Sequence, residues 1–244
     1  MNQPRFYCRE ALAPGAHIDL PEPVARHAVR VLRLPPGAAV VLFDGRGGEY
    51  EARIERIEKD RVVAALGAWS DVERESPLAV TLIQAVQAGE KMDFTIQKAV
   101  ELGVSAIVPV DSRRSVTRLS GERAGRRVAH WQGVAAAACE QCGRNRLPLI
   151  EEPMPLERWL AMRTGAPGLV LHTAESNPLA RGDAPAQLRL LVGPEGGLED
   201  NEFAQARAAG FTPWSLGPRV LRADTAPLAA LAVLAAALQA GGQP

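Results

Sequence analysis

The stretch LRLLVGPEGGLED, Leu188 to Asp200, passes from a short apolar run through a glycine-rich loop into an acidic helix start. Three glycines within Gly193–Gly197 permit left-handed backbone and close approach of the main chain to a ligand. A phosphate-binding loop would follow its last glycine with lysine and then serine or threonine. This loop has neither, no Gly-x-Gly-x-x-Gly occurs in the chain, and Glu195 disfavours an anion. A tight turn that only ends the strand would use the same residues.

A second loop strengthens the ligand reading. LGPRVLRADTA, Leu216 to Ala226, follows the apolar run Thr212–Leu216 and leads into an alanine-rich helix that reaches Gln239, with Asp224-Thr225 as its N-cap. Two glycine-proline loops leaving neighbouring strands on one side would make a backbone-lined slot for a flat polar group such as a purine. Upstream, the apolar runs Leu78–Val86, Ala106–Val110, Gly168–His172 and Leu188–Val192 alternate with helical segments at Met92–Leu102, Gly121–Cys142 and Asp200–Ala209. Strands apolar throughout and separated by helices predict an α/β fold with a parallel sheet covered on both faces. Ligands bind such sheets at the carboxyl ends of the strands.

The first 72 residues have a different rhythm. Arg5–Tyr7, Ala39–Phe43, Glu49–Ile57 and Arg61–Leu66 read as strands, with turns at Asp44–Gly48 and Lys59-Asp60. Pro21–Leu34 reads as a helix with proline in its first turn, stopped by Pro35-Pro36-Gly37. A compact barrel-like module is the simplest assembly, and the charged stretch Asp71–Pro77 marks the boundary. Residues 1–72 and 73–244 are therefore expected to form two domains.

Among the 244 residues, 28 basic side chains balance 28 acidic ones, and 47% are hydrophobic, an ordinary globular composition. The longest apolar stretch, Ala226–Leu238, is too short to cross a membrane, and without a basic n-region followed by an apolar h-region secretion is not expected. Three cysteines, Cys8, Cys139 and Cys142, argue for a reducing compartment, with the cytoplasm as the default. Cys139-x-x-Cys142 lacks a second cysteine pair or a histidine cluster, so no metal site is expected. The neutral total hides a local excess: from Arg113 to Arg146 eight arginines face only Glu122 and Glu140. A field of this kind suits a phosphate backbone, although a solvated helix face would look the same.

The paired signatures GPEGG (193–197) and LGPRVLRADTA (216–226) resemble those of the SPOUT superfamily of knotted methyltransferases. More narrowly, the chain is similar to the bacterial 16S ribosomal RNA uridine-N3-methyltransferase family. RHAVRVLRLPPG (26–37), IQKAVELGVSAIVPV (96–110), DSRRSVTR (111–118) and ACEQCGRNRLP (138–148) extend the likeness nearly end to end. Asp224 stands where the family usually has glutamate, and Cys142 where it usually has serine.

The resemblance implies an N-terminal PUA-like RNA-binding β-barrel and a C-terminal domain with a deep trefoil knot, a homodimer through the last helix, and S-adenosylmethionine as cofactor. The cofactor would lie against Leu171, His172, Gly193, Pro194, Glu195, Gly196, Gly197, Leu216, Gly217 and Leu221. Arg222, Arg219 and Glu140 are the candidates for catalysis, with Gln141 and Arg144 as further polar groups. Glu140 also reads as a helix carboxylate paired with arginine. Arg113, Arg114, Arg118, Arg126, Arg127, Arg144 and Arg30 are the candidate RNA contacts, the partner being 16S ribosomal RNA of the small subunit. Two rival readings stand beside this one: methylation of another position such as a ribose 2′-hydroxyl, and an RNA-binding or assembly factor without turnover.

Overall fold

The computed structural model describes residues 3–59, 61–162, 165–173 and 185–241. Asp60, half of one expected hairpin turn, lies outside them. The chain divides into two compact units, residues 1–75 with 136–147 and residues 76–135 with 148–244. The end of the long helix and the turn after it thus fold with the N-terminal sheet, an excursion absent from a reading of consecutive runs.

The first unit holds a five-stranded sheet of β1 (Arg5–Tyr7), β2 (His17–Asp19), β3 (Ala39–Phe43), β4 (Glu49–Glu58) and β5 (Arg61–Ser70), in the order β1-β3-β4-β5-β2. β1 pairs parallel with β3, and the remaining pairs are antiparallel. Alternation along β4 sends Ala52 and Ile54 inward, where they join Phe6, Leu42, Val62 and Leu66 in one core. β2 was not expected, because three residues with one half-buried side chain carry no periodic signal. The expected Pro21–Leu34 helix is shorter: α1 (Glu22–Arg26) continues as a π-helical turn, His27–Val31, and stops there. Arg33 takes a left-handed φ of 52°, and the proline after Leu34 disfavours a helical conformation for that residue.

The second unit is built on parallel strands β6 (Ala79–Ala85), β7 (Ala106–Asp111), β8 (Leu149–Ile150), β9 (Met154–Pro155), β10 (Gly168–Leu171), β11 (Gln187–Val192) and β12 (Phe211–Trp214). Their order is β12-β10-β11-β6-β7-β8, with β9 pairing β7. The helices are α2 (Glu90–Glu101), α3 (Gly121–Cys142), α4 (Leu156–Met162), α5 (Asp200–Ala208) and α6 (Thr225–Gly241). α2 buries Met92, Thr95, Ile96, Ala99 and Val100, the spacing of one helical face.

Two corrections concern the sheet. The sequence suggested that the strands before the two glycine-proline loops are neighbours, whereas β10 lies between β11 and β12. Gly168 makes the close pairing with β12 possible, since a Cβ there would stand 2.6 Å from the Phe211 ring. The short α4, β8 and β9 were also missed, being only two to seven residues long.

Candidate active site

The carboxyl ends of β10, β11 and β12 and the start of α6 enclose a cleft of about 480 Å³ in the second unit. All ten expected cofactor residues line it, as do Arg219 and Arg222. The sequence reading missed Ser215 and the apolar Val192, Leu198, Trp214, Val220 and Ala223, which supply much of the wall. Val220 and Ala223 lie within the second signature, and the others had only adjacency to the loops as a signal.

Each loop is shaped by local chemistry. Gly197 adopts φ 72° and donates its N–H to the Pro194 carbonyl at 2.8 Å, closing the turn. At Gly193 a Cβ would meet the Leu198 nitrogen at 3.1 Å, so the loop folds tightly onto itself. Gly217 has φ 108°; its N–H donates to Ser215 Oγ at 3.3 Å, and that hydroxyl donates to the Gly217 carbonyl at 3.1 Å. Arg222 serves through its backbone as well, its carbonyl accepting the N–H groups of Thr225 and Ala226 as α6 begins. The Asp224 carboxylate accepts the Thr225 hydroxyl at 3.3 Å.

His172 is held at both ends of its geometry. Its N–H donates to the Trp214 carbonyl at 3.0 Å, and its ring stacks on Phe203 with centroids 4.5 Å apart. Glu195, the loop residue that argued against an anion, is paired with Lys91 at 2.9 Å. The hydrogen bond from Lys91 holds the Glu195 carboxyl below its ordinary range. The cleft therefore offers backbone N–H and C=O groups and aliphatic walls, with the Arg219 and Arg222 side chains exposed.

Glu140 belongs to the first unit. It is half-buried, and its Oε1 accepts the Tyr7 N–H at 2.9 Å. Burial pushes its pKa up, opposed by the Tyr7 hydrogen bond and by the His27 and Arg5 charges. Gln141 is exposed. Cys139 donates its thiol toward the Arg146 carbonyl, and burial pushes that thiol up to about 12.

The arginines are the main departure from expectation. Arg144 is a correction: its side chain is 4% exposed and meets Glu75 through Nε–Oε1 at 3.0 Å and Nη2–Oε2 at 2.5 Å, so it has no face left for phosphate. Arg113 pairs with Glu157 at 2.8 Å and Glu199 at 3.8 Å. Arg114 donates to the Gly196 carbonyl at 2.9 Å. Arg127 lies 3.7 Å from Asp93 and over the Trp131 ring at 5.2 Å. Arg126 makes an exposed pair with Glu122, at 3.4 Å, and Arg118 and Arg123 are exposed. Arg30 lines a separate cavity of the first unit, about 440 Å³, with Arg26 and Lys59.

Comparisons with known proteins accord with this geometry. Residues 74–235 match the model of an RNA methyltransferase domain, and residues 20–66 that of an RNA methyltransferase PUA domain. A ribosomal RNA small subunit methyltransferase E from Neisseria gonorrhoeae, solved with S-adenosyl methionine, is 40% identical over 96% of this chain and 97% of its own, with a TM-score of 0.87. A Legionella pneumophila protein solved with the same cofactor is 36% identical, over 97% and 98%, with a TM-score of 0.93. The ribosomal RNA small subunit methyltransferase E of Synechocystis is 36% identical over 86% of this chain and 70% of that one. Among the described residues, no helix is long and apolar enough to cross a membrane.

Proposed function

This chain belongs to the RNA methyltransferase family that includes the ribosomal RNA small subunit methyltransferases E, and we propose that it methylates N3 of a uridine in 16S ribosomal RNA. The observation that carries the reading is the cleft, lined by every cofactor residue expected from the family resemblance. Its volume falls within the usual range for small-molecule pockets, and its lining suits S-adenosylmethionine. Main-chain groups of Gly193–Gly197 and Leu216–Gly217 would offer hydrogen bonds to its adenine, and Leu171, Leu216 and Leu221 apolar contact.

S-adenosylmethionine supplies an electrophilic methyl group on a sulfonium when bound. The protein must align the uracil N3 with that methyl and assist loss of the imide proton. N3 lies on the Watson–Crick edge, so the target uridine is unpaired or flipped out of its stack. Arg222 and Arg219, exposed beside the cleft, stabilise the anion that develops on the uracil as the proton leaves. Glu140, the candidate for accepting that proton, lies in the first unit with its Oε1 taken by the Tyr7 N–H. Turnover at the wild-type rate in Glu140→Gln would remove it from this role.

The same reading takes residues 1–72 as a PUA-like RNA-binding barrel and 73–244 as the methyltransferase domain, with a deep trefoil knot formed by the final strands and α6. It also takes the enzyme as a cytoplasmic homodimer through α6, acting on the small ribosomal subunit. Exposed arginines 118, 126 and 30 remain as phosphate contacts. Calorimetric titration tests the cofactor step directly: saturable binding of S-adenosylmethionine is expected. A flat titration would leave an RNA-binding or assembly factor without turnover.

A further inference from the structure

Arg114 and Arg113 are consecutive, and both were expected to face phosphate, yet both are engaged with the segment that forms one wall of the cleft. Arg114 Nη1 donates to the Gly196 carbonyl at 2.9 Å. Its aliphatic stem lies across the loop: a Cβ built on Gly196 would stand 3.4 Å from Arg114 Cβ and 3.5 Å from Cδ, ordinary van der Waals contact. On the neighbouring residue of the loop, Lys91 Nζ reaches Glu195 Oε1 at 2.9 Å. Two cations from different elements therefore grip consecutive loop residues, one through the backbone and one through a side chain.

The segment that presents Arg114 is itself fixed. The Arg113 N–H donates to Glu202 Oε1 at 2.9 Å, and the other oxygen of this almost fully buried carboxylate accepts the Glu199 N–H at 2.9 Å. The Arg113 guanidinium reaches Glu157 at 2.8 Å. Ser112 and Ser115 close a turn around the two arginines, the Ser115 N–H donating to the Ser112 carbonyl at 3.0 Å. One buried glutamate thus joins the arginine turn to the first turn of α5, which continues directly from the glycine loop.

We propose that Arg114, with Lys91 as its counterpart, is a positioning residue that braces the Gly193–Gly197 loop in its ligand-ready form. A loop with three glycines loses much backbone entropy when it is ordered, and bracing before binding removes that cost from the ligand's affinity. A phosphate on Arg114 would have to displace the Gly196 carbonyl, so the contact argues against the RNA role given to this residue by charge alone. The inference rests on the reading of the cleft as the S-adenosylmethionine site.

The test is calorimetry of S-adenosylmethionine without RNA, on wild type, Arg114→Gln, Arg114→Lys and Lys91→Met, with thermal melts and separate titrations of RNA against salt. Loss of one net hydrogen bond predicts about three- to tenfold weaker cofactor binding in Arg114→Gln and Lys91→Met. Arg114→Lys, which keeps a donor, recovers part of the loss, and melting temperature and the salt slope of RNA binding stay as in wild type. Unchanged cofactor affinity in Arg114→Gln overturns the brace. If that variant also shows a shallower salt slope, Arg114 is a phosphate contact instead. A shared drop in melting temperature with no recovery in Arg114→Lys also overturns it, in favour of a general structural role. Failure of wild type to bind the cofactor would instead remove the underlying reading of the cleft, and the brace with it.

Discussion

The glycine loop Gly193–Gly197 and the arginine-rich stretch Arg113–Arg146 are both places where residue type alone suggests a ligand, and they are built in opposite ways. The loop presents main chain, and its turn closes through residues within it, a left-handed Gly197, the Pro194 carbonyl and a tight fold over Leu198, with Arg114 and Lys91 bracing it from outside. The arginines present side chains, whose partners come from distant parts of the chain. Arg113 finds Glu157, Arg127 approaches Asp93, Arg144 finds Glu75 and Arg146 finds Glu73. A count of charges along the sequence cannot register these pairings, because every carboxylate involved lies outside the stretch being counted. The turn of a backbone-lined loop is written locally, whereas a charge patch exists only after tertiary folding has used what it needs.

The largest expected break in this comparison is at Arg144. Removing one partner of a largely buried ion pair leaves the other uncompensated, so Arg144→Ala should cost about 3 kcal/mol in denaturant unfolding. A stable Arg144→Ala protein with a shallower RNA salt dependence would return this residue to the phosphate group.

Double charge reversal of the exposed Arg118 and Arg126 should act the other way. Stability should hold, while the slope of log affinity against log salt for single-stranded RNA falls by about 1.4, the loss of two phosphate contacts. Arg113→Gln should leave that slope unaltered. Equal slopes in all three proteins would mean that neither set touches RNA.

A smaller effect is expected within the loop. Gly197→Ala meets no neighbouring atom, so its cost is the left-handed φ alone, about 1 kcal/mol of stability in denaturant unfolding, with S-adenosylmethionine affinity by calorimetry close to wild type.

The smallest is a pH effect at Glu49 of the first unit. Burial pushes its carboxyl up, but hydrogen bonds from Arg5 and Asn145 outweigh burial and hold it below its ordinary 4.5. A carboxyl lowered on folding stabilises above its unfolded value and loses that contribution as pH falls through the folded one. Acid unfolding of Glu49→Gln should accordingly show a weaker pH dependence below about pH 4.5 than wild type.

Much of the α/β domain was legible because its strands are apolar throughout and its helices amphipathic, as with β6, β7 and α2. What escaped has physical causes. β10 enters between β11 and β12, an order that no local pattern encodes. The π-helical turn at His27–Val31 and the early stop at Arg33 depend on backbone geometry rather than hydropathy. Residues 136–147 join the first unit through contacts such as Glu140 with Tyr7 and Arg144 with Glu75, pairs separated by 133 and 69 positions. For the cleft, the loops were visible and the apolar walls between them were not.

The most direct test is methyl transfer from labelled S-adenosylmethionine to small ribosomal subunits that lack the modification, followed by nucleoside digestion and mass spectrometry. The account predicts label in 3-methyluridine, lost when Arg222 is replaced by methionine. Label in any other nucleoside, or none despite cofactor binding, would contradict it.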